Sequence, residues 1–213
     1  MGIGTLATWG GEVPEPTRSA VFIDRDGVLT EPIFNPQTGE YESAHTLADL
    51  RLCPNIVEPL RSLACAGFAL FIVSNQPSYA KGKVSLETLQ LIARAAEASL
   101  RDEGIVFTET YYCYHHPMGI VPEYSGPCVC RKPAPFFLLQ AQACYDLDLS
   151  RSWMIGDRDS DVECGQRAGC RTIRVAHPRV GDKAGTSDPD YIAADLAEAV
   201  ERILVSAGQG EGQ

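Results

Sequence analysis

The chain has 213 residues, 45% hydrophobic and 22% charged, the balance of a globular protein long enough to bury a sizeable core. Its 18 basic and 28 acidic side chains leave a net charge of −10, which argues against nucleic acid or an anionic membrane as partner. No apolar run approaches the roughly 20 residues of a membrane-spanning helix.

Residues 1–18 have neither the basic nor the apolar region of a signal peptide and read as a flexible leader. A buried strand is expected at 20–23, Ala-Val-Phe-Ile, then a helix over 54–66 ended by Gly67 and a strand at 68–73. Leu89, Ile92, Ala93, Ala96 and Leu100 recur at helical spacing, with Ser85 as N-cap and Gly104 as the stop. Strands at 105–112, 153–155 and 172–175 alternate with helices over 135–145, 159–168 and 192–205. The segment 207–213 reads as a disordered tail. This alternation predicts an α/β, Rossmann-like doubly wound parallel sheet with helices on both faces, built as one domain over 19–206. Ligands of such sheets lie beyond the carboxyl ends of the strands.

Chemically capable residues follow these apolar runs. The first ends in Asp24-Arg25-Asp26-Gly27. Carboxylates two apart on an extended segment share a face, and Gly27 lets the chain turn away at once. Alone, the pair also fits a solvated turn, whereas a calcium loop would need later oxygen ligands that the spacing does not supply. The second run leads to Ser74-Asn75-Gln76, which in isolation is a helix cap. The strand at 153–155 leads to Gly156-Asp157-Arg158-Asp159-Ser160-Asp161. Another acidic residue at the same edge of the sheet points to a hard divalent cation held by oxygens from separate strands. Lys132 precedes a backbone stiffened by Pro133 and Pro135. Arg25, Lys81, Lys83, Arg131, Lys132 and Arg158 all fall at the predicted carboxyl edge, six of the 18 basic residues. Cations gathered in an acidic protein suit a phosphorylated ligand.

Of eight cysteines, Cys53, Cys65, Cys144, Cys164 and Cys170 are scattered through apolar stretches and read as buried thiols in a reducing, cytoplasmic setting. Cys113-Tyr114-His115 and Cys128-Val129-Cys130 together offer four ligands suited to tetrahedral, structural Zn²⁺ around the loop 113–130. Free thiols, a disulfide from Cys113, and His116 in place of His115 are the alternatives. Pro117, Gly119, Pro122, Gly126 and Pro127 deny that loop regular structure, and a metal cross-link would give it shape.

In this order, Asp24 and Asp26, Ser74, Lys132, and Asp157 with Asp161 resemble the haloacid dehalogenase-like phosphohydrolases over about residues 20–175. The Cys-x-His-His-Pro and Cys-x-Cys-Arg-Lys-Pro segments narrow the resemblance to the D-glycero-D-manno-heptose 1,7-bisphosphate phosphatases and their relatives, the histidinol-phosphate phosphatases. The chain departs from that pattern at Gln76-Pro77-Ser78-Tyr79-Ala80-Lys81-Gly82, where members have Gln-Ser-Gly followed shortly by Arg-Gly. Val28 replaces the common Thr, and Arg158 the usual Lys.

The resemblance implies phosphomonoester hydrolysis through an aspartyl-phosphate. Asp24 is then the nucleophile and Asp26 the acid and base, with Ser74 and Lys132 on the phosphoryl oxygens. Mg²⁺ falls to Asp24, the Asp26 carbonyl and Asp157, while Asp161 orients Lys132 or the metal surroundings. Arg25, Asn75, Gln76, Lys81, Arg131 and Arg158 are the expected substrate contacts. The stretches between motifs are too short for a separate cap domain, leaving three loops, from Pro32 onward, 77–83 and the zinc loop, over a shallow site. The expected partner is a small phosphorylated sugar, with the 7-phosphate of the heptose bisphosphate as target and histidinol phosphate as the alternative. A zinc-stabilised phosphate-binding module without turnover is the alternative of another class. Nucleic acid and membrane are not expected as partners, and a monomer is the default.

Overall fold

The computed structural model describes residues 18–36, 39–176 and 185–210. The expected leader, apart from Arg18, and the last three residues of the expected tail lie outside the described residues. Six strands form one parallel sheet: β1 (Ala20–Ile23), β4 (Ala69–Asn75), β5 (Glu109–Cys113), β6 (Trp153–Gly156), β7 (Arg171–Val175) and β8 (Tyr191–Ala193). Their spatial order is β5-β4-β1-β6-β7-β8. The chain builds outward from β1 through β4 to β5, then returns to the other side of β1 with β6. The adjacent carboxyl ends of β1 and β6 therefore form the topological switch point, where doubly wound sheets bind ligands.

The central strands β1 and β6 and most of β4 are apolar because both faces are covered. Val21 and Ile23 join one core with Ile72, Ile155 and Ile173, closed by α1 (Val57–Cys65) and α5 (Leu196–Gly210) through Leu60, Leu63, Val200 and Ile203. The alternate residues Ala20 and Phe22 face a second core with Phe71, Val73 and Met154. That core is covered by α3 (Phe136–Tyr145) through Leu138 and Ala141 and by α4 (Asp159–Ala168) through Cys164. The expected period of two thus appears as two cores, not as an inside and an outside. The long helix α2 (Leu86–Asp102) starts on the expected cap, with Ser85 Oγ accepting from Thr88 N at 3.1 Å.

Several expectations need correction. Of the cysteines expected as buried thiols, Cys164 and Cys170 are buried, but Cys53 is half-buried, and Cys65 and Cys144 are exposed because they lie on the outer sides of α1 and α3. The segment from Pro32 onward contains an antiparallel hairpin, β2 (Ile33–Asn35) with β3 (Glu40–Glu42). The strand expected at 105–112 begins at Glu109, because Ile105 N donates to Leu100 O in the closing turn of α2. The helix expected from Ile192 is preceded by the edge strand β8. It starts only at Leu196, where Asp195 Oδ1 accepts from Glu198 N at 2.9 Å and Glu198 Oε2 from Ala194 N at 2.8 Å. This helix runs through Gly210, into the segment expected as tail.

Phe71 is fully buried, its ring 5.0 Å from Phe22 and 5.4 Å from Tyr145. Phe71→Ala is expected to destabilise the protein by about 3–5 kcal/mol in urea unfolding; a loss below about 1 kcal/mol would contradict this packing.

Candidate active site

Asp24 follows β1 and Asp157 follows β6, so the switch point brings two carboxylates together, and the first turn of α4 adds Asp161. Ligand oxygens of all three lie within 4.8 Å of one another, and all three residues are buried. Two glycines make the room. Gly27 has φ +93°, and a Cβ there would collide with Asp157 Oδ2; a Cβ on Gly156 would collide with the Asp161 side chain.

Lys132 is the buried cation set against this group. Its Nζ lies 3.1 Å from Asp24 Oδ1 and 2.6 Å from Asp161 Oδ1, and donates to Val73 O at 2.6 Å. Burial alone would lower its pKa, but Asp161 and Asp24 hold it above the ordinary lysine range. The Asn75 side chain fixes the Lys132 backbone from both sides: Nδ2 donates to Lys132 O and Oδ1 accepts from Lys132 N, each at 3.1 Å. Three carboxylates crowd one buried ammonium, with the guanidinium of Arg158 at the edge, 3.8 Å from Asp157 Oδ1. Burial, then Asp24 and Asp161, push the Asp157 carboxyl well above the usual carboxylate range, and burial lifts Asp161 to about 6. Asp157 Oδ1 is buried with no hydrogen-bond partner. A buried carboxylate oxygen with no hydrogen bond, whose nearest cation is the half-exposed Arg158 Nε at 3.8 Å, among crowded all-oxygen donors fits a hard divalent cation.

Asp26 points elsewhere. Arg25 Nε donates to its Oδ1 at 2.9 Å and Nη2 to its Oδ2 at 3.1 Å, Thr30 Oγ1 to Oδ1 at 3.0 Å, and Gln76 Nε2 to Oδ2 at 2.5 Å. Burial pulls its pKa up, but Arg25 and these donors outweigh it and hold the carboxyl below its usual value. Gln76 Nε2 also reaches Ser74 Oγ at 3.0 Å, tying the end of β4 to Asp26.

A cavity of about 150 Å³ opens above Asp24 and Asp26, lined among others by Asn75, Lys81, Lys83, Arg131, Lys132 and Arg158. Arg25 and Gln76, expected as substrate contacts, do not line it. They are about 1% exposed and act beneath Asp26 as its supports. The hairpin contributes Tyr41, Glu42 and Ser43 to the wall, and Glu42 Oε1 pairs with Lys83 Nζ at 2.6 Å. The loop from Pro32 onward was expected over the site, but Tyr41, Glu42 and Ser43 were not singled out, because the pairing that places them there was not foreseen.

Beside the cavity, Cys113, His115, Cys128 and Cys130 form the second candidate metal group. The Sγ separations are 3.3 Å for Cys113–Cys130 and 3.7 Å for each remaining pair; His115 Nδ1 is 3.8 Å from Cys113 and 3.7 Å from Cys130. Ligands about 2.3 Å from a tetrahedral zinc sit about 3.8 Å apart, so the donors and spacing fit Zn²⁺. None of the eight cysteines is in a disulfide. His116 Nδ1 instead accepts from Met118 N at 3.1 Å, outside the group. Its pKa is pushed down by burial and then by Lys81 and Arg131, two cations flanking it at the cavity rim.

This fold, with carboxylates and a lysine at its switch point, defines a phosphatase of the haloacid dehalogenase-like class. The HAD-hydrolase-like family matches residues 129–199. A D-glycero-D-manno-heptose-1,7-bisphosphate 7-phosphatase of Thermosynechococcus vestitus is 37% identical over 196 residues, covering 87% of this chain and 95% of that protein. A D-glycero-alpha-D-manno-heptose-1,7-bisphosphate 7-phosphatase of Photorhabdus laumondii is 32% identical over 160 residues, covering 74% and 83%. The crystal structure of D,D-heptose 1,7-bisphosphate phosphatase from B. bronchiseptica, complexed with magnesium and phosphate, shares the fold with a TM-score of 0.73 and 23% identity, over 88% of this chain and 99% of that one. The chain belongs to the heptose bisphosphate phosphatase family of the haloacid dehalogenase-like hydrolases.

Gly27→Ala should push Asp157 out of place. Phosphatase activity is expected to fall about 100-fold, as for a displacement of roughly 1 Å at a reacting centre, while circular dichroism stays native. Activity within twofold of the parent would contradict the close approach.

Proposed function

We propose that this enzyme removes the 7-phosphate of D-glycero-D-manno-heptose 1,7-bisphosphate through a phosphorylated Asp24. The observation that carries the reading is the buried group of Asp24, Asp157, Asp161 and Lys132 opening on a cavity with further cations at its rim. Asp24 attacks the phosphorus and the bond to the sugar oxygen breaks. Asp26 gives that oxygen its proton, then takes one from the water that hydrolyses the acyl phosphate. Asp26 is held ionised by Arg25 in the ligand-free protein; an incoming phosphoryl group beside it favours the protonated form needed for the first step. Lys132 and Ser74 bind the phosphoryl oxygens, with Asn75 fixing the lysine backbone and Asp161 its ammonium. Asp24, the Asp26 carbonyl and Asp157 would hold Mg²⁺, which when bound neutralises phosphoryl charge.

Lys81, Arg131 and Arg158 line the cavity beyond the group that serves the transferred phosphate, more positive charge than one phosphate needs. This favours a bisphosphate over an amine such as histidinol phosphate, and the net charge of −10 disfavours nucleic-acid ends. Zn²⁺ on Cys113, His115, Cys128 and Cys130 fills four positions with protein ligands, a structural arrangement. Burial pushes the Cys113 and Cys130 thiols up, so metal loading would release protons from the cluster.

A phosphate-release panel with and without Mg²⁺ tests the substrate, using both heptose bisphosphate anomers, histidinol phosphate and a 3′-phosphorylated oligonucleotide. Heptose bisphosphate should have the highest kcat/KM, and Asp24→Asn should lose at least about 1,000-fold. A preference for histidinol phosphate, or an active Asp24→Asn protein, would overturn the reading.

Elemental analysis should find one zinc per chain, falling below about a tenth in Cys128→Ser after chelator washing. A chain that holds no zinc would exclude the metal.

A further inference from the structure

The loop 113–130 is bound to the neighbouring loop 77–83 by contacts that the chemistry above does not use. Ile120 N and Val121 N both donate to Ala80 O, at 2.7 and 3.2 Å. The Ile120 side chain lies against Gly82, where a Cβ would strike its Cδ1. Tyr79 meets Tyr124 edge to face at 4.9 Å between ring centroids, and Tyr124 lies 5.1 Å from the His115 ring. The loop 77–83 is folded tightly on itself: Lys81 N donates to Pro77 O, Gly82 N to Tyr79 O and Lys83 N to Ser78 O, at 2.8–3.0 Å. Whatever holds Tyr79 and Ala80 therefore also holds Lys81.

His115 joins the two sides. Its Nδ1 faces the cysteine cluster, its carbonyl accepts from Arg131 Nη1 at 3.2 Å, and its ring neighbours Tyr124. Arg131 itself lies between the cluster residue Cys130 and Lys132. One path thus runs from His115 to Arg131, and another from His115 through Tyr124 and Tyr79 to Lys81. Both paths end on cations lining the same cavity.

We propose that Tyr79 and Tyr124 are positioning residues, a clasp through which the metal-binding loop sets Lys81 opposite Arg131 to receive the substrate's second phosphate. Neither tyrosine lines the cavity, so each acts through the loop it anchors. The inference rests on the bisphosphate reading for its consequence, not for the clasp itself. An aromatic pair of this geometry contributes enough beyond its buried area to change an equilibrium by up to about tenfold.

The zinc-loaded enzyme and its Tyr79→Ala, Tyr124→Ala and Tyr124→Phe variants test this, with amide exchange read by NMR and kinetics on heptose bisphosphate and p-nitrophenyl phosphate. In both alanine variants the amides of Lys81, Gly82 and Lys83 should exchange about tenfold faster. KM for the bisphosphate should rise about tenfold, with kcat within twofold, and KM for p-nitrophenyl phosphate within twofold. Tyr124→Phe, which keeps the ring, should match the parent. Unchanged exchange, or equal losses on the two substrates, would overturn the clasp. If Tyr124→Ala sheds zinc, Tyr79→Ala, which leaves the metal loop intact, decides by the same criteria. A parent enzyme with no preference for the bisphosphate would refute the substrate reading alone, and amide exchange would then decide the clasp.

Discussion

A crowd of carboxyl groups buried at the junction of β1 and β6 constrains the rest of this structure. Asp24, Asp157 and Asp161 stand against Lys132, and carboxylates so close in a dry site repel one another unless protons or a cation intervene. The fold accepts the strain because its surroundings leave little room for relaxation. Gly27 and Gly156 allow an approach that any side chain would block, and the all-apolar strands beneath anchor the loops that carry the acids. Negative charge is thus gathered where a divalent cation would offset it.

Around that centre the chain divides its labour by position. Asn75, at the end of β4, grips the backbone on both sides of Lys132, while Arg25 and Gln76 hold Asp26 from below. Cys130, Arg131 and Lys132 are consecutive, so one short stretch joins the cysteine cluster, the rim of the cavity and the buried ammonium. The hairpin adds Glu42 to the cavity wall, where it pairs with Lys83. The described loops from these separate segments thereby meet around one cavity.

The expected site positions Asp24, Ser74 and Asp157 could be placed at one edge of the sheet because each lies at or just past the end of a run apolar enough to be a buried strand, whereas Lys132 follows no such run. The Ala20–Ile23 run announced β1, and the polar residues after it announced the site; the same held for β4 and β6. The cysteine pattern was readable for another reason, since the short Cys-x-His and Cys-x-Cys spacings survive any course of the loop between them. What was not readable lay in short elements. The strands β2 and β3 have three residues each, too few for an apolar run or an alternation to stand out. The edge strand β8 was merged with α5 because Tyr191–Ala193 continues the apolar spacing of the helix, and only the Asp195–Glu198 cap separates them. Arg25 was read as a ligand contact because a guanidinium suits phosphate, and Gln76 because of the family resemblance; both are buried and bonded to Asp26.

The account is tested most directly by thermal unfolding of the parent protein and Asp157→Asn, each with and without Mg²⁺. Removing one of the crowded carboxylates relieves repulsion but removes a cation ligand. The account therefore predicts a crossed pattern: without Mg²⁺ the variant melts higher than the parent, while millimolar Mg²⁺ raises Tm only in the parent. A parent unaffected by Mg²⁺, or a variant equally stabilised by it, would contradict the claim that the buried charge at the switch point is a cation site.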